Sequence, residues 1–582
     1  MSIYYISPSG SDSIGLGTSV SPWATLKGAF THMASGDTLI CKDGTYTGNN
    51  NIIDSGGFPP YGTVGAYTVV KAENDGMAIF SGDTMIIFYA TGQANKYWQF
   101  EGLIWCNSGG DNLYLGGVSY VKFLRCGAYD AGDGNNSNIT TGQNSSYLLF
   151  ENCYVWGNGR YKFNLYMSNH IILRQCVARL DRDNAISEPI ACYSVYSCDD
   201  IKLQNCIAID TDQTSKYINV EVYGGPFLVP STSKDANRVE FNRCIALNVK
   251  IGGFNTTGNE YYVARDVVFR DCVLWDCAAP GGGQQITLNM FRGLNDQIIN
   301  CTFGVGYSDY ILFNSYDSGI GQNTTIKNSI IYAMTGSSSL FSGVESASYN
   351  DFYANTGSPS GSNNKLLNPI YNISTNPIGA LKYITRVELG SNLAGQGEAG
   401  ADIGANIKTL IGTSGTIWGQ TGYNTDTGIS MWPFPNEDLI RTKMKAYNAG
   451  GVSGNRGFCV DQQTLTRYIW EYLGNPIPAD IYGPNPATSI SVSDSISIAE
   501  SRTLSLSMLP SLSINQYDLI VISEYRNSYL RTLNKLSYDS MIILEIASLF
   551  VAGVGDIAKA EYIIGTENVS LFDTLKLELN LP

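Results

Sequence analysis

The stretch Phe241-Asn-Arg-Cys-Ile-Ala246 is one copy of a pattern that recurs along the middle of the chain, with an apolar residue three positions before a cysteine and mostly apolar residues after it. Leu103 and Ser329 take the place of the cysteine in the copies that precede and follow the series. From Leu103 to Ser329, successive copies lie 23, 27, 23, 30, 38, 28, 29 and 28 residues apart. A nearly constant minimum with a variable excess indicates one structural unit per copy, with insertions in its loops. The cysteines of the pattern are Cys126, Cys153, Cys176, Cys206, Cys244, Cys272 and Cys301.

The spacing inside the pattern predicts short strands separated by tight turns. Apolar residues fall at positions −3, 0 and +2 relative to the cysteine, whereas a continuous strand would align −2, 0 and +2. We therefore expect a bend near position −1. Asparagine, which tolerates left-handed backbone, occurs there at Asn152, Asn205, Asn300 and Asn328. Short strands, tight turns and one layer per repeat predict an all-β chain folded as a parallel β-helix.

The 13 cysteines do not predict a disulfide framework. Seven occupy equal positions of the repeat and are flanked by apolar residues, which predicts small, reduced core residues stacked coil upon coil. No two C-x2-C pairs, and no cysteine pair with histidines, have the spacing of a zinc site.

The net charge of −15 limits the partners of the chain. Without a basic run to offset it, we expect no nucleic-acid partner. The most apolar stretch, residues 541–555, is too short to cross a bilayer and contains Glu545, so we expect no membrane insertion. The N-terminus shows no secretory signal, which favours a protein kept in the cytosol until assembly or lysis and then carried on a virion or extracellular appendage.

Several segments resemble a known family. YYISPSGSDS (4–13), SPWATLKGAF (21–30), SGDTLICKDGTYTG (35–48) and YTVVKAENDG (67–76) are similar to the first coils of right-handed β-helix proteins of the pectate-lyase-like superfamily. GADIGA (400–405) is similar to sequences that close such helices. The resemblance implies a right-handed, single-stranded parallel β-helix with an N-terminal cap over residues 1–405, as in phage tailspikes and polysaccharide lyases.

Two further regions follow the repeats. Residues 406–487 combine helical apolar spacing with flanking prolines, which predicts a small, partly helical module packed on the last coil and ending in a proline-rich linker. Residues 488–582 contain alternating polar and apolar segments, which predicts a β-rich C-terminal domain that serves assembly or attachment.

Charged residues recur at one corner of neighbouring coils. Equal offsets from the ladder cysteines stack at about 4.8 Å in a β-helix, so these side chains are expected to cluster. Long insertions near residues 183–190 and 212–237 begin at the same corner and are expected to wall a groove. The charged residues are Arg160, Lys162, Arg179, Asp181, Asp183, Asp210 and Asp212.

This corner has two interpretations. If it is catalytic, the four aspartates hold Ca²⁺ against the carboxylate of an acidic sugar. Lys162 or Arg160, with Arg179 beside them, then abstracts the C5 proton, and the 4-linked sugar leaves by β-elimination. That chemistry is what the resemblance to β-helix polysaccharide lyases implies. If the corner is structural, the arginines simply pair with the aspartates on a solvated face.

Aromatic residues in turns add a second signal. The chain contains 38 tyrosines and 8 tryptophans, many beside glycine, asparagine or serine. Exposed rings stack on sugar faces, although tyrosine also fills strand faces for structural reasons. The candidate substrate-binding residues are Trp156, Tyr161, Glu188 and Tyr223.

Three classes of function remain open. The first is a glycan-recognising component of a virion or appendage, which the resemblance likens to a tailspike and for which a homotrimer and other virion partners are expected. The second is a polysaccharide lyase that acts on an acidic polysaccharide. The third is a purely structural or decorating protein, since a fold alone does not choose among functions. The two histidines, His32 and His170, are expected to be structural, which disfavours histidine-based catalysis.

Overall fold

A computed structural model describes most of the chain. The described residues are 1–82, 85–88, 94–181, 191–211, 225–250, 252–258, 261–278, 288–290, 293–306, 323–335, 346–355, 357, 361–449, 451–461, 463–482, 520–522, 531–538 and 541–545. Residues 1–477 form one compact unit, and residues 478–582 form another.

The first unit is built from coils that contribute strands to three long parallel sheets. The first sheet contains Ile3–Ile6, Thr38–Cys41, Thr68–Ala72, Ala94–Glu101, Val118–Leu124, Ser146–Glu151, Asn169–Arg174, Asp199–Gln204, Ala236–Asn242, Ala264–Arg265, Val268–Arg270, Gly293–Leu294, Gln297–Ile299, Thr325–Lys327 and Ser346–Ser348. The second contains Gly44–Tyr46, Ala78–Ser81, Leu103–Cys106, Gly127–Tyr129, Tyr154–Trp156, Val177–Arg179, Ile207–Ile209, Ile245–Leu247, Val273–Trp275, Thr302–Gly304, Ile330–Tyr332 and Asp351–Tyr353. The third contains Met85–Phe88, Leu113–Gly116, Ser137–Thr141, Tyr161–Tyr166, Ala191–Tyr196, Gly225–Ser231, Phe254–Gly258 and Leu288–Met290. The predicted parallel β-helix is confirmed.

The cysteine pattern marks the turn between the first and second sheets. Phe123 pairs with Phe150, which pairs with Leu173, so the repeat phase read from the sequence is the strand register. The residue before each cysteine bends the chain, with φ of 55° at both Asn152 and Asn205. The predicted bend at position −1 is therefore confirmed.

The ladder cysteines line the core. All 13 cysteines of the chain are free and buried, as predicted. Each ladder thiol lies close enough to a carbonyl of the preceding coil to donate a hydrogen bond, for example Cys176 Sγ to the Phe150 oxygen at 3.3 Å. Aromatic rings continue the stacking beside them, with the Phe123 and Phe150 ring centroids 4.9 Å apart. Such contacts add to the apolar burial that holds successive coils together.

A short helix, Leu26–Phe30, closes the N-terminal end of the β-helix. The side chain of Thr25 caps it by accepting a hydrogen bond from the Gly28 amide at 3.1 Å. Leu26, Ala29 and Phe30 are buried, so the helix covers the apolar interior of the first coil.

Residues 406–477, hereafter the return segment, lie along the outside of the β-helix. The segment contains an antiparallel pair, Thr409–Ile411 and Asp426–Ser430, a second pair, Asn448–Ala449 and Val452–Ser453, and the helices Glu437–Lys445 and Leu465–Trp470. Short 3-10 helices span Asn49–Asn51, Glu398–Gly400 and Gly457–Cys459.

The return segment contacts much more than the last coil. Near the C-terminal end of the β-helix, the rings of Tyr383 and Trp470 lie 5.1 Å apart. Toward the N-terminal end of the β-helix, the Lys443 ammonium lies 3.7 Å from the sulfur of Met77, which belongs to an early coil. The module predicted to pack on the last coil therefore covers a whole flank.

The outer face of the second sheet explains this arrangement. Its outward side chains, such as Ile207, Ile245 and Val273, are apolar and buried. Strands that are apolar on both faces need a cover on each side. The return segment supplies that cover with Met431, Trp432, Phe434, Ile440, Met444, Phe458, Ile469 and Trp470, all of which are buried.

Little of the second unit is described. It contains the helix Ala479–Tyr482 and the antiparallel strands Ile520–Ile522, Arg531–Tyr538 and Met541–Glu545. The rest of the predicted β-rich domain lies outside the described residues. Among the residues that the structure describes, none of the helices has the length and apolar character needed to cross a membrane.

Candidate functional site

Lys162, the predicted base, lies in the strand Tyr161–Tyr166 with its side chain fully buried. Its ammonium group donates hydrogen bonds to the carbonyl oxygens of Gly157, Gly159 (3.1 Å) and Asp181 (3.3 Å). Burial lowers the pKa of Lys162 to about 8, although the nearby Asp181 carboxylate opposes this shift. The ammonium group is thus held by backbone carbonyls inside the protein.

Arg179 and Asp181 form the centre of the same cluster. The Arg179 guanidinium is fully buried and lies 2.9 Å from the Asp181 carboxylate. It also donates to the Met444 oxygen at 2.9 Å and to the Gly454 oxygen at 3.0 Å, both in the return segment. Burial alone would raise the pKa of Asp181, but the charges of Arg179 and Arg456 outweigh it and lower the pKa.

Asp210 is covered in the same way. Its carboxylate accepts hydrogen bonds from the Phe458 amide and the Tyr468 hydroxyl, each at 2.9 Å. Arg456 pairs with the Asp181 carboxylate and donates to the Asp210 main-chain oxygen at 2.6 Å. One arginine of the return segment therefore joins two coils of the β-helix.

Four of the residues predicted at this corner therefore lie close together, but they are not open to solvent. Lys162, Arg179, Asp181 and Asp210 have no exposed surface. The return segment contacts Arg179, Asp181 and Asp210, whereas carbonyl oxygens of the β-helix itself enclose the Lys162 ammonium. A polysaccharide cannot reach them in this arrangement, which argues against catalytic roles for Lys162 and Arg179. The alternative of ion pairs on a solvated face is corrected as well, since the pairs are buried.

The predicted calcium ligands do not fit a metal in the part of the chain that the structure describes. The carboxylates of Asp181 and Asp210 are occupied by arginine, amide and hydroxyl donors. Within the described ranges, there is no group of three or more His, Cys, Asp or Glu side chains that could hold a metal ion. Asp183 and Asp212 lie outside the described residues, and calcium binding stays a prediction.

Of the predicted sugar-binding residues, the structure describes Trp156 and Tyr161, which lie in different sheets. Trp156 is 3% exposed and stacks on Tyr129 with ring centroids 4.7 Å apart, on the outer face of the second sheet. Its burial disagrees with a role in an open site. Glu188 and Tyr223 lie outside the described residues.

Arg160 and Tyr161 lead to a different surface. Both are half-buried at the start of the strand Tyr161–Tyr166 in the third sheet. The Arg160 guanidinium lies 5.7 Å from the centroid of the Tyr161 ring. Asp111 is at the same edge, where its carboxylate accepts a hydrogen bond from the Ser137 amide at 2.5 Å. Burial raises the pKa of Asp111, and the hydrogen bonds from the Ser137 amide and the Thr140 side chain oppose this rise.

The outer face of the third sheet carries a row of polar residues. Thr140 pairs in register with Asn164, which pairs with Ser194 on the next coil. Their neighbours Ile139, Phe163 and Tyr193 belong to the interior core, so alternation along the strands places the polar residues outside. We call Thr140, Asn164 and Ser194 the polar row.

The polar row has unmet hydrogen-bonding capacity. Asn164 Oδ1 and Ser194 Oγ are buried and have no hydrogen-bond partner among the residues that the structure describes, whereas the Thr140 hydroxyl interacts with the Asp111 carboxylate. Each such group costs about 1–3 kcal/mol when nothing satisfies it. Because buried polar groups in native proteins are nearly always satisfied, the two on consecutive coils indicate a place for ordered water.

Tyrosines lie beside the row, with Tyr114 in register with Thr140 and with Tyr166 and Tyr196 at the ends of their strands. Tyr166 pairs with Tyr196, and their ring centroids lie 5.2 Å apart. The Tyr114 hydroxyl reaches over Gly142, where an added Cβ would lie 2.7 Å from it. All three rings are half-buried. We call Tyr114, Tyr166 and Tyr196 the tyrosine edge.

The polar row and the tyrosine edge could not be predicted from the cysteine repeat. Loops of variable length lie between the ladder cysteine and the third-sheet strand of each coil, so residues with equal offsets from the cysteine no longer stack beyond those loops. A usable signal was present in segments such as Ser137-Asn-Ile-Thr-Thr141, where polar residues flank an inward apolar one. Aligning those segments with one another, instead of with the cysteines, would have revealed the polar row.

Comparisons with known proteins concern the fold. No protein-family model matches the chain, and no curated protein matches it. Among solved structures, the chain is similar to pectate lyase Pel9A, with 17% identity over 69% of this chain and 96% of that one and a TM-score of 0.42. It is also similar to an alginate lyase from Paenibacillus sp. str. FPU-7, with 13% identity, 56% and 99% coverage and a TM-score of 0.35. A rhamnogalacturonan lyase gives 16% identity, 62% and 87% coverage and a TM-score of 0.36.

Proposed function

We propose that the outer face of the third sheet binds a glycan chain. The observation that carries this proposal is that Asn164, Tyr166 and Tyr196, all half-buried, lie together on the outer side of two neighbouring strands of this sheet. Sugar hydroxyl groups both donate and accept hydrogen bonds, so they can satisfy hydroxyl and amide side chains together.

The tyrosine edge supplies the second kind of contact. Tyr166 and Tyr196 flank the polar row on consecutive coils and are half-buried, so part of each ring is open to solvent. Aromatic rings pack against the apolar faces of sugars while their hydroxyl groups stay hydrated. Because successive coils repeat at about 4.8 Å, equivalent contacts recur along the axis, as recognition of a repeating polymer requires.

Binding to a panel of soluble polysaccharides, measured by affinity electrophoresis, tests the proposal. We expect retardation by at least one polysaccharide, weakened about tenfold or more by Tyr166→Ala because stacking on one aromatic ring contributes over 1 kcal/mol. The matched control is Tyr371→Ala, which removes a half-buried tyrosine from residues 361–405, away from this face. Equal loss in both variants, or no retardation of the wild type, would contradict the proposal.

Cleavage of the bound chain is a second candidate. Of the cations predicted to act as bases, Arg160 is half-buried at the edge of this face, whereas Lys162 and Arg179 are fully buried. A lyase would release 4,5-unsaturated uronate from an acidic polysaccharide, and Arg160→Ala would abolish its absorbance. An absence of that absorbance across acidic polysaccharides would leave binding without cleavage. The virion or appendage location, the partners of the C-terminal domain and the homotrimer stay predictions from the sequence.

A further inference from the structure

We propose that the N-terminal end of the β-helix binds a second copy of this chain, so that two N-terminal ends meet. A loop over residues 10–23, hereafter the end loop, presents exposed aliphatic side chains there, and the lack of charge around them selects the partner. This contact does not depend on glycan binding by the third sheet.

The end loop covers the open edge of the first sheet. The first strand, Ile3–Ile6, pairs with Thr38–Cys41 on one side. On its other side, the Tyr5 amide donates to the Gly17 oxygen at 2.9 Å, and the Tyr5 oxygen accepts from the Trp23 amide at 3.0 Å. Because the loop satisfies these backbone groups, the edge at Tyr5 is closed to a further strand. A partner at this end is therefore bound through side chains.

The conformation of the end loop is fixed by the buried ring of Trp23. The indole N–H donates to the Gly15 oxygen at 3.0 Å, and Gly17 packs so closely that an added Cβ would lie 2.4 Å from the ring. The Leu16 amide donates to the Ser21 oxygen at 2.9 Å, which closes the loop. These contacts leave the aliphatic side chains of the loop pointing away from the core.

Three aliphatic side chains of the end loop are exposed. Val20 is 94% exposed, Ile14 80% and Leu16 71%. Ser13 and Thr18, which are also exposed, place uncharged polar groups between them. An apolar centre with a polar rim is the composition of a protein–protein interface, and exposed apolar groups gathered on an ordered surface mark such sites.

Charge is nearly absent from this end of the molecule. Asp12 is the one charged side chain in residues 1–26. Its carboxylate is occupied, because it accepts hydrogen bonds from the amides of Ala24 at 2.8 Å and Thr25 at 3.1 Å. The whole chain has a net charge of −15, so two copies repel each other where their charged surfaces meet, but not at this end.

The same lack of charge separates a second copy from a membrane. Adhesion to an anionic lipid surface uses clustered lysine and arginine side chains, and residues 1–26 contain none. Lys27, the first basic residue, lies 2.9 Å from the Asp54 carboxylate and is paired with it. An uncharged aliphatic surface is instead matched by its own copy, as a two-fold contact requires.

The opposite end of the β-helix lacks this neutrality. Ile373 and Ile378 are exposed there, but residues 361–405 contain six charged side chains. Apolar contact at that end would therefore bring charged groups together and remove them from water, which is costly unless they are paired. We expect the contact to join N-terminal ends.

Sedimentation velocity of the full chain tests the proposal. We expect the wild type to form dimers between about 1 and 100 µM, and Leu16→Ser combined with Val20→Ser to weaken association at least about hundredfold, because each partner loses two aliphatic side chains from the contact. Both side chains are exposed in the single chain, so the double variant should melt at the wild-type temperature. The matched control is Ile373→Ser combined with Ile378→Ser, which should keep the dimer.

Each other outcome overturns the proposal. A wild type that stays monomeric at about 100 µM would do so, as would a dimer that survives Leu16→Ser with Val20→Ser. Equal loss in the two double variants would point to head-to-tail contact, which forms open chains. Flotation of a monomeric wild type with phosphatidylcholine vesicles, lost in Leu16→Ser with Val20→Ser, would replace the second copy by a lipid surface.

Discussion

A buried thiol at the same position of successive coils is suited to the narrow turn between two sheets. The side chain is small enough to stack at strand spacing, and its sulfur lies 3.3–3.5 Å from a carbonyl of the preceding coil in, for example, Cys206 and Cys301. Burial raises the pKa of Cys301 well above its ordinary value, so this thiol stays protonated. Unreactive, reduced thiols follow from that environment.

Labelling with iodoacetamide checks this account of the cysteines. We expect no modification of the folded chain within the time that fully labels a free thiol, and modification of all 13 cysteines after denaturation. Intact-mass spectrometry counts the labels. Rapid labelling of Cys153 or Cys206 in the folded protein would contradict the inward ladder.

Lys162→Met tests whether Lys162 is a buried structural charge. Burial lowers the pKa of Lys162 to about 8 in the folded protein, against an ordinary value of 10.5. Below pH 8 both states bind the proton, and the cost of the buried charge is complete. Between pH 8 and 10.5 the unfolded chain binds more protons, so the free energy of unfolding rises with pH. The wild type should therefore gain about 2 kcal/mol relative to Lys162→Met between about pH 7.5 and 9.5.

Urea unfolding of both proteins across that range measures the difference. The comparison cancels titrations that the two chains share, which isolates the contribution of the lysine. A difference that stays constant with pH, or that falls as the pH rises, would contradict the buried position of the ammonium.

At the scale of elements, the return segment is part of the core and not an appendage. The second sheet is apolar on both faces, and the segment buries its outer face from the coil of Met77 to the coil of Asp276. Charged residues pin it in place, because Arg456 joins Asp181 to the main chain at Asp210. The same ion pairs that suggested an active site in the sequence therefore attach one element to another.

Arg456→Ala tests this attachment. The substitution leaves the buried Asp181 with one fewer cation, and breaking a buried pair costs about 3–5 kcal/mol. Arg441→Ala is the matched control, because Arg441 pairs with the largely exposed Asp438 on the same segment, and exposed pairs contribute at most about 1 kcal/mol. Denaturant unfolding measures both. Equal losses in the two variants would contradict the buried role of Arg456.

The elements differ in how far the sequence could predict them. The first and second sheets follow the cysteine repeat, so strand register and the bend at Asn152 could be read directly from spacing. The position of the return segment could not, because it depends on contacts between residues more than two hundred positions apart, such as Arg179 with Gly454. Spacing from a repeat carries no information about which distant segment covers its outer face.

At the scale of the whole molecule, residues 1–477 form one compact unit. We expect a chain ending at Ile477 to melt cooperatively at the temperature of the same unit in the full chain. A chain ending at Ala405 should instead bind a dye specific for exposed apolar surface and aggregate, because it uncovers the second sheet. Calorimetry and dye fluorescence distinguish them. Similar behaviour of the two truncations would contradict the integral role of the return segment.

Only part of the candidate site could be predicted from the sequence. Arg160 and Tyr161 were identified, and they do mark the edge of the third sheet. The residues around Asp181 were predicted to cluster, and they do, but their burial by the return segment could not be predicted from the repeat. The polar row went unnoticed because hydroxyl and amide residues are common on β-strands, and what distinguishes Ser194 is the lack of a partner, which only the structure can show.

Replacing the half-buried residues of the third-sheet face tests the central claim most directly. The double variant Asn164→Leu, Tyr196→Ala removes an amide and an aromatic ring that are partly open to solvent, so polysaccharide binding should be lost. The control Ser168→Ala removes a buried hydroxyl that donates to the Gly142 oxygen at 2.9 Å, and it should lose about 1 kcal/mol of stability and keep binding. A double variant that still binds the polysaccharide as the wild type does, or a control that loses binding equally, would contradict the account.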